Sequence, residues 1–120
     1  MNIFKAKLAV TCVAASLFAG PAMAHSVLES STPADNATIS SPETVEMTFS
    51  DSVNLRFSNV TLTGPDGARV ETDKAKVSAD GHTLVVPVSR PLTAGKYGVT
   101  WDALSQDGHK VNGEFSFTVE

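Results

Sequence analysis

From residue 45 onward, apolar residues recur at every second position in short runs, and this alternation constrains the fold more than any other feature. Val45, Met47 and Phe49 share one side of such a run, and the residues between them are polar. The pattern recurs at residues 97–101 and 115–119, with Gly, Pro, Asn, Asp and Ser between the runs. Alternation with period two predicts half-buried strands, and no window of useful length has helical periodicity. The sequence therefore predicts an all-β fold.

We predict about seven strands, which is the number in an immunoglobulin-like β-sandwich. The predicted ranges are 27–30, 44–49, 56–62, 70–77, 83–88, 96–103 and 111–119. If each strand crosses the sandwich once, every second connection lies at the same end. His25 and the connections 50–55, 78–82 and 104–110 are then expected at one end, the N-terminal pole, which would hold all three histidines. The connections 64–69 and 89–94 are expected at the opposite pole.

The first 24 residues have the three parts of a secretory signal peptide. Lys5 and Lys7 form the positive n-region, residues 8–19 are mostly apolar, and Ala22-Met23-Ala24 is a small-x-small cleavage site. The apolar stretch is shorter than the roughly 20 residues that cross a bilayer. We therefore expect removal of residues 1–24, a periplasmic location, and one mature domain over 25–120 that begins at His25.

The mature domain has no cysteine, because Cys12 leaves with the signal peptide. Disulfides, zinc-thiolate sites and thiol catalysis are therefore excluded. In the mature domain, seven Lys and Arg against 13 Asp and Glu give a formal charge near −6. This charge argues against nucleic acid or an anionic membrane surface as a partner.

His25 becomes a bidentate chelator once cleavage frees its α-amine. The amine and the ring Nδ1 close a six-membered ring on one metal ion. Both groups lose their protons at moderate cost, because the reference pKa values of an amine and an imidazole are about 8 and 6.5. A nitrogen-rich site without thiolate favours copper(II) by the Irving–Williams order. The alternative is that histidine follows the cleavage site by chance.

Asp107-Gly108-His109 supplies a carboxylate and an imidazole two residues apart, and these can converge with His25 on one ion. The alternative is an ordinary Asp-Gly hairpin turn with a solvated histidine beside it. Asp80-Gly81-His82 has the same spacing, and the arrangement of the poles does not separate the two motifs. On the residues alone, His82 therefore stays open as a competing or auxiliary ligand.

Several short segments also match the pattern of a known family in their order and spacing. They are His25 after the signal peptide, residues 31–34, Met47-Thr48-Phe49-Ser50 with Asp51, residues 91–97 and 99–101, and Ser105-Gln106-Asp107-Gly108-His109 with Gly113. Together they resemble the CopC-type periplasmic copper-binding proteins over essentially the whole mature chain. The resemblance implies a Greek-key β-sandwich, a copper(II) site at one pole, and periplasmic copper handling, often alongside a CopD-type inner-membrane protein.

The resemblance also implies roles for individual residues. The family's N-terminal histidine falls on His25, and its aspartate-x-histidine pair falls on Asp107 and His109. An acidic residue near the family's site, usually glutamate, falls on Asp51, where an indirect role through a ligand residue or a water molecule is implied. His82 matches no ligand of the family, which supports its interpretation as part of a turn.

One feature departs from the copper(I)-binding members of the family, which carry a methionine-rich loop. Residues 63–77 contain no Met, His or Cys, and the one mature methionine, Met47, is predicted to pack in the core. Because soft copper(I) prefers thioether or thiolate ligands, we predict binding of copper(II) alone.

The predicted function is a monomeric, non-enzymatic copper(II)-binding protein that sequesters copper or presents it to an inner-membrane partner. One alternative is an immunoglobulin-like interaction module with incidental histidines. Another is a small oxidative copper enzyme, because an N-terminal histidine with a second histidine also forms a histidine brace. The single Tyr and single Trp both fall on the predicted strand 96–103 and leave little aromatic surface for a substrate.

Overall fold

Two β-sheets pack face to face in the protein, whose computed structural model describes residues 27–120. The strands are β1 Leu28–Thr32, β2 Ala37–Ile39, β3 Thr44–Phe49, β4 Val53–Thr63, β5 Arg69–Val70, β6 Lys76–Val77, β7 Thr83–Pro87, β8 Gly95–Ser105 and β9 Lys110–Val119. One sheet has the strand order β1-β3-β7-β6 and the other the order β2-β9-β8-β4-β5. All neighbouring strands are antiparallel except β2 and β9. No apolar helix of membrane-spanning length occurs among these residues. The predicted all-β, immunoglobulin-like Greek-key sandwich is confirmed.

The core lies between the two sheets and consists of alternate residues of the long strands. In β3 every second side chain is buried, and Met47 is 0% exposed, which confirms its predicted place in the core. Phe49 packs edge-on against Trp101 with 5.1 Å between ring centroids, a favoured aromatic arrangement. The alternation in the sequence therefore places apolar side chains between the sheets. The buried apolar residues are Val45, Met47, Phe49, Val53, Leu62, Leu84, Val86, Tyr97, Val99, Trp101, Ala103, Phe115, Phe117 and Val119.

The prediction of a single strand over residues 70–77 is wrong. The start of this segment belongs to β5, which pairs with β4, whereas its end forms β6, which pairs with β7 in the other sheet. Between them, Thr72 makes an isolated bridge to Val88. The chain changes sheets here because the two ends of the segment pair with different distant strands. Local alternation does not reveal such a change.

Two other elements differ from the predicted ranges. The short strand β2 was not predicted, and it runs parallel to the end of β9. Asn36 precedes it with a φ of 65°, and the N–H of Asn36 donates to the carbonyl of Ser116 at 2.7 Å. Strand β4 begins at Val53, which pairs with Ser105. The connection between β3 and β4 is therefore residues 50–52 and not 50–55.

Gly113 provides the space that the Trp101 ring occupies. A Cβ atom at residue 113 would lie 2.8 Å from Cζ2 of Trp101, which is too close for van der Waals contact. Gly113→Ala is therefore expected to lower the free energy of unfolding by about 1 kcal/mol or more. Urea unfolding followed by the fluorescence of this single tryptophan measures the effect.

Gly98→Ala is the matched control, because Gly98 also lies in the β8–β9 pair. A Cβ atom there meets no atom within 4 Å, so a change of less than about 0.5 kcal/mol is expected. Equal destabilisation by both substitutions would contradict the proposed contact with Trp101.

Candidate metal centre

Asp107 and His109 lie on the connection 106–109 between β8 and β9. Ser105 closes this turn, because its N–H donates to the carbonyl of His109 at 2.9 Å and its carbonyl accepts the N–H of Gly108 at 3.0 Å. Gly108 has a φ of 89°, a conformation that glycine adopts without a steric penalty. The turn is therefore held by its own hydrogen bonds.

The Asp107 carboxylate is surrounded by donors from the same turn. Its Oδ1 accepts hydrogen bonds from the Ser105 hydroxyl and from the His109 N–H, the latter at 3.1 Å. The Ser105 hydroxyl, followed by the His109 N–H, holds the pKa of Asp107 at about 2. Asp107 is therefore a charged oxygen donor at neutral pH and can bind a metal ion without first losing a proton.

The His109 ring lies beside this carboxylate. Nδ1 of His109 is 3.2 Å from Oδ1 of Asp107, and the two side chains are 57% and 38% exposed. Two ligands that are each roughly 2 Å from one ion, and roughly 90–105° apart around it, lie about 3 Å from each other. This distance is that of an imidazole–carboxylate ion pair, so the two side chains lie close enough together to bind the same ion, and both are open to solvent.

The connection 78–82 repeats this turn with the same pattern, Ser-x-Asp-Gly-His. Asp80 Oδ1 accepts hydrogen bonds from the Ser78 hydroxyl at 2.6 Å and from the His82 N–H at 3.0 Å. The Ser78 hydroxyl, as the main cause, lowers the pKa of Asp80. The histidines differ, because His82 is half-buried and its Nδ1 lies 3.0 Å from the carbonyl oxygen of Phe49. The interpretation of His82 as part of a structural turn fits this contact.

The connection 50–52 is hydrogen-bonded both to Val27, the first described residue, and to the 106–109 turn. Ser50 donates its N–H to the carbonyl of Val27 at 2.9 Å and accepts the Val27 N–H on its hydroxyl at 2.8 Å. Two residues later, the carbonyl of Ser52 accepts the N–H of Gln106 at 3.0 Å. For the described residues, the predicted meeting of these connections at the N-terminal pole is confirmed.

Two of the predicted site residues are not in the 106–109 turn. Asp51 is exposed and lies in the middle of the connection 50–52, between the hydrogen bonds to Val27 and to Gln106. His25 lies outside the described residues. Within residues 27–120, no three His, Cys, Asp or Glu side chains lie close enough together to hold a metal ion.

Two serines at this pole were missed in the sequence analysis. Ser105 binds the Asp107 carboxylate, and Ser50 holds Val27 by two hydrogen bonds. Ser105 had a signal, because serine stands two residues before the aspartate in both Asp-Gly-His turns. No local sequence pattern indicated the role of Ser50, because its partner Val27 is 23 residues away in the chain.

The model of one protein family covers the strands and turns described above. Residues 28–120 match the model of the CopC domain. The chain belongs to the CopC family. The match includes both Asp-Gly-His turns, and His25 precedes it. The family resemblance found in the sequence is therefore confirmed.

Relatives with copper in their names are similar to this chain over most of its length. Copper resistance protein C of Xanthomonas campestris pv. juglandis is 38% identical over 117 residues, which cover 92% of this chain and 92% of that protein. Copper resistance protein C of Escherichia coli is 37% identical and covers 82% of this chain and 84% of its own. The copper transport protein CutJ of Bacillus subtilis is 33% identical over 80% of this chain, a match that spans 18% of that longer protein.

Solved CopC structures have the same fold. CopC from Methylosinus trichosporium OB3b superposes with a TM-score of 0.74 at 31% identity, over 80% of this chain and 94% of that one. PcoC, a methionine-rich copper resistance protein from Escherichia coli, superposes with a TM-score of 0.72 at 33% identity, over 81% and 100% of the two chains. In contrast to that methionine-rich protein, residues 27–120 contain one methionine, the fully buried Met47.

Proposed function

We propose that this CopC protein, processed to begin at His25, binds copper(II) in the periplasm and serves copper homeostasis and resistance. The observation that carries the proposal is the pairing of Asp107 with His109 on an exposed turn at the pole where Val27 is held. The names of the relatives, copper resistance protein C and copper transport protein, support copper as the ion.

The proposed ligands are the α-amine and ring of His25, the carboxylate of Asp107 and the ring of His109. Three nitrogens and one oxygen suit copper(II) in a tetragonal arrangement. Two peptide units separate His25 from Val27, so their Cα atoms are at most about 8 Å apart. The proposed role of Asp51 is indirect, through a water molecule or a neighbouring ligand.

Removal of residues 1–24 as a signal peptide is part of this proposal, because cleavage after Ala24 creates the amine ligand. The peptide nitrogen that precedes cleavage has its lone pair delocalised into the carbonyl group. The precursor is therefore expected to be a poor copper protein.

The proposed role is binding and not catalysis. Tyr97 and Trp101, the single Tyr and Trp of the chain, are 2% and 6% exposed, so neither ring offers a platform for a substrate. A monomer would sequester the ion or present it to an inner-membrane transport partner of the CopD type. In CutJ the region similar to this chain is part of a much longer copper transport protein, which supports an association with transport.

Titration of the processed protein with copper(II) at neutral pH tests the proposal. We expect one tightly bound ion per chain and an electron paramagnetic resonance spectrum of a tetragonal site with nitrogen ligands. Absence of tight binding, or a spectrum without nitrogen ligands, would contradict the proposed function and favour an interaction module.

Copper(I) is expected to bind at least about a hundredfold more weakly than copper(II), because soft copper(I) prefers thioether or thiolate ligands. The one methionine of residues 27–120, Met47, is 0% exposed. A competition titration with a copper(I) chelator under reducing conditions measures this difference. Equal affinity for the two oxidation states would show that donors other than sulfur hold copper(I).

A further inference from the structure

Val27 is held by a pair of hydrogen bonds that extends the pairing between β1 and β3. The pairing of these strands starts with Leu28 opposite Phe49, and a shift in register separates this pair from Ser30 opposite Thr48. Directly after the last residue of β3, Ser50 binds the carbonyl of Val27 through its N–H and the N–H of Val27 through its hydroxyl. The second bond depends on the serine side chain. Without it, the half-buried N–H of Val27 loses its acceptor.

The same connection also holds the turn that carries the other proposed ligands. The Ser52 carbonyl accepts the N–H of Gln106, which is the residue before Asp107. Residues 50 and 52 are two peptide units apart, so their Cα atoms are separated by at most about 8 Å. The connection 50–52 therefore fixes Val27 relative to the 106–109 turn.

We propose that Ser50 is a positioning residue of the copper site, an inference that rests on the proposed function. Ser50 acts through Val27 and not as a ligand. A fixed Val27 limits the volume that residue 25, two positions earlier, can occupy. Closing the chelate between His25 and the 106–109 turn then costs less conformational entropy.

Ser50→Ala tests the inference, because it removes the hydroxyl and keeps the backbone N–H. The substitution is expected to lower copper(II) affinity roughly fivefold, which is about 1 kcal/mol. Ser50→Thr keeps a hydroxyl and is expected to restore the affinity to within about twofold of the unsubstituted protein. In the metal-free Ser50→Ala protein, the Val27 amide is expected to exchange its hydrogen faster, as measured by nuclear magnetic resonance.

Ser41→Ala is a matched control at the opposite pole. The Ser41 hydroxyl accepts the N–H of Leu92 at 2.7 Å, which is the same kind of bond as that of Ser50. Ser41→Ala is expected to change stability by a similar amount, about 1 kcal/mol, without changing copper(II) affinity. Equal affinity losses in the Ser41 and Ser50 variants would mean that general destabilisation is the cause and would overturn the inference.

A form with Gly-Ser before His25 gives a second readout. In that form the backbone nitrogen of His25 is an amide and no longer a proposed ligand. The position of Val27 therefore has less effect on copper(II) affinity. Ser50→Ala is therefore expected to change its copper(II) affinity by less than about twofold. If the processed protein binds copper(II) tightly and Ser50→Ala leaves that affinity unchanged, the inference fails and the proposed function stands. If the unsubstituted processed protein does not bind copper(II) tightly, the proposed function itself fails.

Discussion

His109→Ala is expected to lower copper(II) affinity at least about a hundredfold, or about 2.7 kcal/mol. The substitution removes a nitrogen ligand that no neighbouring side chain of the turn replaces, since Asp107 already serves as a proposed ligand. The His109 side chain is 57% exposed, so the free energy of unfolding without metal is expected to change by less than about 0.5 kcal/mol. Competition titration with copper(II) and urea unfolding of the metal-free protein measure the two quantities.

His82→Ala is the control for this prediction, because His82 ends a second turn with the same Ser-x-Asp-Gly-His pattern. Its ring is half-buried and its Nδ1 contacts the Phe49 carbonyl oxygen. Loss of that contact is expected to lower the free energy of unfolding by about 1 kcal/mol and to change copper(II) affinity by less than about threefold. His109→Ala should therefore lower copper(II) affinity with little effect on stability, whereas His82→Ala should lower stability with little effect on copper(II) affinity. Similar losses of copper affinity in both variants would contradict the assignment of His109 as the ligand.

A Gly-Ser extension before His25 is expected to lower copper(II) affinity at least tenfold, about 1.4 kcal/mol. In the extended chain the nitrogen of His25 belongs to a peptide bond, whose lone pair is delocalised. The chelate ring of amine and imidazole therefore cannot form without ionising a very weak acid. Copper(II) titrations of the processed and extended proteins at neutral pH measure the loss, and electron paramagnetic resonance counts the nitrogen ligands.

Unfolding of the metal-free protein is the control for the extension. The extension precedes every strand, so the midpoint of unfolding should be the same for the two forms. If the extended protein bound copper(II) with unchanged affinity and spectrum, the amine would not be a ligand. The position of His25 after the cleavage site would then be accidental.

The strands that could be predicted from the sequence are those in which alternation and burial agree. Val45, Met47 and Phe49 are buried in β3 at every second position, as their spacing predicts. Residues 70–77 alternate as well, yet Val70 pairs with Leu62 in one sheet and Val77 pairs with Leu84 in the other. The partner of a strand depends on residues far away in the chain, and a local pattern carries no information about them.

The candidate site likewise has one feature that could be predicted from the sequence and one that depends on distant residues. The meeting of the connections at one pole could be predicted, because it follows from how often the chain crosses the sandwich. The different environments of His82 and His109 could not, because both follow Asp-Gly at the same spacing. In the structure His82 is half-buried with its Nδ1 against the carbonyl of Phe49, a residue 33 positions away, whereas the exposed His109 has its Nδ1 beside the Asp107 carboxylate.

Copper binding and folding are thermodynamically linked in the proposed site. Its proposed donors come from the two ends of the mature chain, and Ser50 and Ser52 bind the neighbouring residues Val27 and Gln106. The unfolded chain keeps at most the local chelate of His25, so the ion is expected to bind the folded state more tightly and to raise its stability with rising copper concentration. Unfolding or proteolysis of the sandwich separates Asp107 and His109 from the His25 chelate and is therefore expected to weaken the binding of the ion.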